Sequence, residues 1–75
     1  MVTLYTEGRV SVRMFNGDHN PPHVHVWTPN GDAQILVSDF SILRGSLSTR
    51  EYEVAVRWMR SNIAFLKAEW ERRNG

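Results

Sequence analysis

Residues 23–38 read HVHVWTPNGDAQILVS, and this stretch decides the fold. Its first part places a valine at every second position, and residues 33–38 return with the same period of two, which is typical of half-buried strands. Residues 29–32 between them, PNGD, predict a turn, because proline presets its own φ angle and Asn-Gly tolerates positive φ. The stretch therefore predicts an antiparallel hairpin with one apolar face and one polar face.

Three further segments extend this hairpin towards a sheet. Residues 9–16 alternate in the same way and predict a strand before it. Residues 17–22, GDHNPP, predict a stiff loop, because Gly-Asp and Asn-Pro-Pro interrupt regular structure and the prolines restrict the backbone. Short strands are also expected at residues 3–6 and 41–44. The first half of the chain is therefore expected to form a meander of three or four strands.

The second half carries one helical pattern. Ser48 and Glu51 fit a capping box, in which the serine hydroxyl and the glutamate carboxylate satisfy free backbone N–H groups at the helix start. Apolar residues then recur every three or four positions until Asn74 and Gly75, and a bend is expected near residues 61–62. The expected apolar stripe consists of Tyr52, Val56, Met59, Ile63, Leu66 and Trp70, with Trp58 and Phe65 beside it.

These patterns predict a single α+β domain spanning residues 1–75, with a three- to four-stranded antiparallel meander packed on one long C-terminal helix. Seventy-five residues bury only a modest core, and the absence of cysteine excludes disulfides and thiolate metal sites. A homodimer that covers Trp58 or Phe65 would add buried apolar area.

Charge and hydropathy narrow the classes of function. The net charge of +1 offers no overall electrostatic attraction for nucleic acid, so any such binding must come from a local arrangement. The first residues lack the basic and apolar regions of a signal peptide, and no apolar run approaches the roughly 18 residues that a membrane span needs. We therefore expect a cytoplasmic protein without membrane association.

The residues best suited to function lie in and around the stiff loop. All three histidines fall within seven positions, and two of them are two apart on a predicted strand, so their rings share one face. If the valines between them face the helix, that face is the open side of the sheet. The expected binding residues are His19, His23, His25, Arg13, Phe15 and Trp27, with Asp18 beside His19.

These residue types allow three functional interpretations and one structural one. The face could bind a partner without chemistry, because aromatic and cationic side chains on an open sheet stack bases or dock proteins. His19, His23 and His25, with Asp18, could instead hold a divalent transition metal. His23 and His25 could act as base and acid in metal-free RNA cleavage, with Arg13 stabilising the charged intermediate. In the structural interpretation, the histidines only support the loop. The residues therefore leave open whether the protein is an enzyme. No cofactor other than a divalent metal ion is expected.

Residues 17–26, GDHNPPHVHV, resemble a small uncharacterised bacterial family with the signature Asp-His-Asn-Pro-Pro-His-x-His-Val. The pair Arg13-Met14, the turn at residues 43–45 and Trp58 match further features of that family, so the resemblance covers almost the whole chain. The resemblance implies a domain of unknown function. It also implies a component similar to those of bacterial toxin–antitoxin modules, which favours a protein or nucleic-acid partner over a small-molecule substrate.

Overall fold

In the computed structural model, which describes all 75 residues, five strands are followed by two helices. The strands form one antiparallel sheet in which each strand pairs with its neighbours in sequence. The elements are β1 (Val2–Glu7), β2 (Val10–Met14), β3 (His23–Thr28), β4 (Gly31–Leu36), β5 (Ile42–Gly45), α1 (Thr49–Ser61) and α2 (Ile63–Asn74).

The predicted α+β class and antiparallel meander are confirmed, but two details were wrong. The sheet has five strands instead of three or four, because the short segments at both ends, β1 and β5, each pair along an edge. The single long helix is divided into α1 and α2 at Asn62. Neither helix combines the length and the apolar character that crossing a membrane requires.

The division of the helix has a local cause. The Asn62 backbone leaves the helical region, with φ of −133° and ψ of 29°. Its side-chain amide donates a hydrogen bond to the Trp58 carbonyl over 2.8 Å, and the Ser61 hydroxyl donates to the Arg57 carbonyl over 3.3 Å. These side chains compete for backbone acceptors, which weakens regular helix. The bend expected near residues 61–62 is therefore present, and it is sharp enough to end one helix and begin another.

The core lies between the helices and one face of the sheet. The valines of β2 and β3 point into it, as the alternation predicted, and four members of the expected helical stripe are buried while Tyr52 and Ile63 are partly buried. The buried core comprises Val10, Val12, Met14, Val24, Val26, Ile35 and Val37 from the sheet half, and Ala55, Val56, Met59, Leu66 and Trp70 from the helices.

The two aromatic residues beside the stripe differ in their surroundings. Trp58 stacks on Tyr5 of β1, with ring centroids 5.0 Å apart, so its own chain covers much of it. Phe65 meets Trp58 edge-on and remains 45% exposed. A homodimer that covers Phe65 stays a prediction.

The capping box at the start of α1 is confirmed and offers a test of local stability. Ser48 accepts a hydrogen bond from the Glu51 backbone, and the Glu51 carboxylate accepts one from the Ser48 backbone. Replacing Ser48 with alanine leaves an unpaired N–H and should lower the free energy of unfolding by about 1 kcal/mol. Urea denaturation measures this, with the exposed Ser46→Ala as the matched control. Equal losses in the two variants would contradict the capping role.

Candidate functional site

The loop between β2 and β3 places Asp18 against two histidines of β3. The Asp18 Oδ2 atom lies 2.8 Å from Nε2 of His25 and 3.0 Å from Nε2 of His23. Burial raises the pKa of Asp18, but the hydrogen bonds from His25 and the His19 backbone and the charges of the nearby histidines lower it more. The pKa of Asp18 therefore lies below its ordinary value, and the carboxylate is ionised at neutral pH. We call these three residues the Asp-His-His group.

His23 is the most enclosed member of the group. It is only 3% exposed, and its ring lies 5.2 Å from that of Trp70 on α2. Its Nδ1 atom donates a hydrogen bond to the Pro21 carbonyl over 2.8 Å. A carbonyl can only accept, so Nδ1 carries the hydrogen and a neutral ring has its free electron pair on Nε2. Because His23 is buried, the expectation that both histidine rings lie on an open face is wrong for His23.

The end of α2 holds the loop in place. The Asp18 backbone donates to the Asn74 side-chain oxygen over 2.6 Å, and the Gly17 backbone donates to the Arg73 carbonyl over 3.3 Å. The Arg73 guanidinium also donates to the Asn16 side chain, while Glu69 pairs with that guanidinium from one turn earlier. Residues far apart in sequence thus fix the position of the Asp18 carboxylate.

A second arrangement crosses the whole sheet on the face opposite the helices. Residues paired directly across antiparallel strands share a face. Following that pairing, Thr3 opposes Arg13, Arg13 opposes His25, and His25 opposes Gln34, which in turn opposes Arg44. We call these five residues the cross-sheet row. The row joins all five strands and contains two cationic side chains and no carboxylate.

Aromatic side chains flank this row, as the alternation predicted. The Arg13 guanidinium lies 4.3 Å from the centre of the Trp27 ring, a cation–π distance. The edge of Phe15 contacts His25, with ring centroids 4.3 Å apart. Trp27 is 44% exposed and is therefore available to a ligand. The structure brings Arg13, Phe15, His25 and Trp27 onto one surface.

His19 lies apart from the Asp-His-His group. It is exposed, and its backbone N–H donates to Asp18 Oδ1 over 2.9 Å. The other three residues proposed as metal ligands converge, with all ligand atoms within 4.8 Å of one another. A cavity of about 380 Å³ borders the group and is lined by Asp18, His19, Asn20, Pro21, His23, Gln34, Leu43 and Arg44.

Sequence reasoning missed several contributors to these sites. The period of two placed Gln34 on the polar face of its strand, so its phase was a usable signal. The place of Arg44 depends on an irregular register between β4 and β5, which no local pattern reveals. Trp70 was expected only in the core, and Asn74 only at the helix end, although both support the loop residues.

Comparison with known proteins adds one finding. The model of a domain of unknown function, DUF4160, matches residues 10–71, well over half of the chain. This chain belongs to the DUF4160 family. The expected membership of an uncharacterised family is thereby confirmed, and the DUF4160 match spans the loop, the three histidines and four of the five row residues. No curated protein and no solved structure matches the chain.

Proposed function

We propose that this DUF4160 protein is a small cytoplasmic binding module that takes single-stranded nucleic acid on the cross-sheet row. The observation that carries the proposal is the row itself, which places Arg13 and Arg44 on one face with only polar side chains between them. Phosphate contacts by Arg and Lys supply most of the affinity in such complexes. A local row of this kind can bind an anion although the net charge is only +1.

The dimensions of the row suit a strand of nucleic acid. Arg13 and Arg44 lie on β2 and β5, three strand spacings apart, which corresponds to about 14 Å. His25 and Gln34 lie between them; the Gln34 amide offers a donor and an acceptor to sugars or base edges, while His25 Nε2 is bonded to Asp18. A nucleic-acid strand that crosses the sheet would meet a cation at each end, and the nearest carboxylate, Asp18, is already paired with His25.

The flanking aromatic side chains provide stacking surfaces. Base stacking on aromatic rings and on Arg guanidinium planes is the usual way in which open sheets bind unpaired bases. Trp27 is well exposed, and Arg13 lies over its ring, so the pair offers both kinds of stacking surface. Phe15 adds a half-buried ring beside His25.

The geometry favours binding over metal-free RNA cleavage by the two histidines. Such cleavage needs two imidazoles that reach the substrate. His23 is buried, with Nδ1 bound to the Pro21 carbonyl and Nε2 facing the Asp18 carboxylate. Only His25 and Arg13 of the three candidate catalytic residues remain on the accessible face.

A protein partner is the second candidate, and the sheet edge favours it. All four residues of β5 are exposed, and β5 is an edge strand, where an extended partner segment can pair with the backbone. A nucleic-acid-binding chain with a bound partner protein would suit a toxin–antitoxin module, the setting that the family resemblance implies.

Fluorescence anisotropy with labelled single-stranded RNA and DNA tests the nucleic-acid proposal. Trp27→Ala should weaken binding about 5- to 150-fold, because stacking contributes about 1–3 kcal/mol per base. The logarithm of affinity should fall with the logarithm of salt concentration by about 0.7 per phosphate contact. Arg13→Ala and Arg44→Ala should therefore each reduce that slope by about 0.7.

The matched control is Lys67→Ala, which removes one positive charge from an exposed position on α2. It should leave the salt slope and the affinity nearly unchanged. If Lys67→Ala and the arginine variants behaved alike, the row would have no special role. If neither RNA nor DNA bound at low salt, the nucleic-acid proposal would be rejected and the β5 edge would become the leading candidate.

A further inference from the structure

We propose that the Asp-His-His group is an open binding site for one divalent first-row transition metal ion. One ligand atom from each of these residues lies within 4.8 Å of the other two, and the short contacts make Asp18 Oδ2, His23 Nε2 and His25 Nε2 the three ligand atoms. Imidazole and carboxylate together suit zinc, iron, cobalt and nickel. The metal proposal does not rest on nucleic-acid binding, although His25 belongs both to this group and to the cross-sheet row.

The hydrogen-bonding pattern of His23 is the main argument. Because Nδ1 donates to the Pro21 carbonyl, the free electron pair of the neutral ring lies on Nε2. With Nδ1 occupied, Nε2 is the only ring nitrogen left to bind an ion, and it lies 3.0 Å from the Asp18 carboxylate oxygen inside a buried site. A metal ion between the two atoms would bond to both and would displace any hydrogen that they share.

The support around His23 matches that of known metal ligands. Metal-bound histidines usually donate their second ring N–H to a backbone carbonyl or a carboxylate, which fixes the tautomer and the ring orientation. The Pro21 carbonyl has that role here. Asp18 is also supported: its backbone N–H donates to the Asn74 side chain, and its Oδ1 accepts from the His19 backbone N–H.

The distances are close to those of a coordinated ion. Ligands about 2.1 Å from a metal are separated by about 3.0 Å in octahedral geometry and about 3.4 Å in tetrahedral geometry. Asp18 Oδ2 lies 3.0 Å from His23 and 2.8 Å from His25. These two distances need an expansion of at most a few tenths of an ångström, whereas the two histidine nitrogens, which are within 4.8 Å of each other, would turn towards the ion. The ion would replace the hydrogen that His25 now shares with Asp18.

Three protein ligands leave at least one coordination position for water or for a ligand. The cavity of about 380 Å³ borders Asp18 and His23, so the open position has a route to solvent. Arg44 lines the same cavity and also belongs to the cross-sheet row. A metal ion at this site would consequently lie beside the proposed nucleic-acid surface.

Isothermal titration of EDTA-treated, dialysed protein with Zn²⁺, without nucleic acid, tests the site. We expect one ion per chain, a higher melting temperature with Zn²⁺, and visible absorption bands when Co²⁺ is used instead. Asp18→Asn and His25→Gln should each weaken Zn²⁺ binding about a hundredfold or more, since changes to supporting residues alone cost 10–100-fold. Circular dichroism of the metal-free variants checks that they fold.

The matched control is His19→Ala, which removes an exposed imidazole of the same loop from outside the group. It should retain wild-type affinity for Zn²⁺ and the Co²⁺ spectrum. Nitrogen NMR should show that Zn²⁺ shifts Nε2 of His23 while Nδ1 keeps its hydrogen. The proposal is overturned if the wild type binds neither ion, or if His19→Ala weakens binding as much as His25→Gln does.

Discussion

Replacing Trp70 with alanine is expected to lower the free energy of unfolding by about 3–5 kcal/mol. Trp70 is 4% exposed and belongs to the core between α2 and the sheet. Its ring also contacts His23, so the substitution opens a cavity beneath the loop that carries Asp18. A domain of this length has a total stability of roughly 4–11 kcal/mol, so much of the stability would be lost.

Trp27→Ala is the matched control, because it removes the same side chain from an exposed position of the sheet. It should cost about 1 kcal/mol or less, since surface substitutions usually have small effects. Urea denaturation followed by circular dichroism measures both variants. A similar loss for the two would mean that Trp70 does not anchor α2 to the sheet.

Replacing Gly45 with alanine should cost about 2–5 kcal/mol, or detach β5 from the sheet. Gly45 has a φ of 83°, and an added Cβ would lie 2.9 Å from the Cα atom of Ala33 and closer still to the Asp32 carbonyl. Both neighbours are backbone atoms of β4, so neither can move without breaking strand pairing. Amide hydrogen exchange in β5 and urea denaturation together distinguish a detached strand from global destabilisation.

Replacing Gly8 with alanine distinguishes the cost of backbone strain from the cost of steric overlap. Gly8 also has a positive φ, of 59°, but an added Cβ meets no atom within 4 Å. Gly8→Ala should therefore cost only about 1–2 kcal/mol, the price of a left-handed alanine. If the two glycine variants lost equal stability, close packing of β5 on β4 would not be the cause. If Gly45→Ala detaches β5, which carries Arg44, it should also weaken nucleic-acid binding about as much as Arg44→Ala does.

Local periodicity accounts for what was predictable from the sequence. The hairpin of β3 and β4 rests on a period of two and a Pro-Asn-Gly turn, and the start of α1 rests on a four-residue capping box. Each of these signals is local, because it involves residues only a few positions apart in the sequence. The polar face with Arg13, Phe15, His25 and Trp27 follows from the same alternation. About half of the candidate site could therefore be predicted from the sequence alone.

Long-range contacts account for what was not predictable. The burial of His23 depends on Trp70, and the position of Asp18 depends on Asn74, 56 residues away. The cross-sheet row ends at Arg44 only because the β4–β5 register shifts between Gln34 and Ile35. The alternation within a strand does not predict these contacts, because it specifies which face of the sheet a side chain lies on but not which residue lies opposite.

The hydrogen bond between Asp18 and Asn74 also has a consequence for the order of events during synthesis. The loop with Asp18 leaves the ribosome 56 residues before Asn74, and chains grow from the N-terminus. A nascent chain would therefore hold both histidines and the carboxylate without the support that aligns them. The site would mature late, after the second helix docks, and an incomplete chain would have little capacity to capture an ion prematurely.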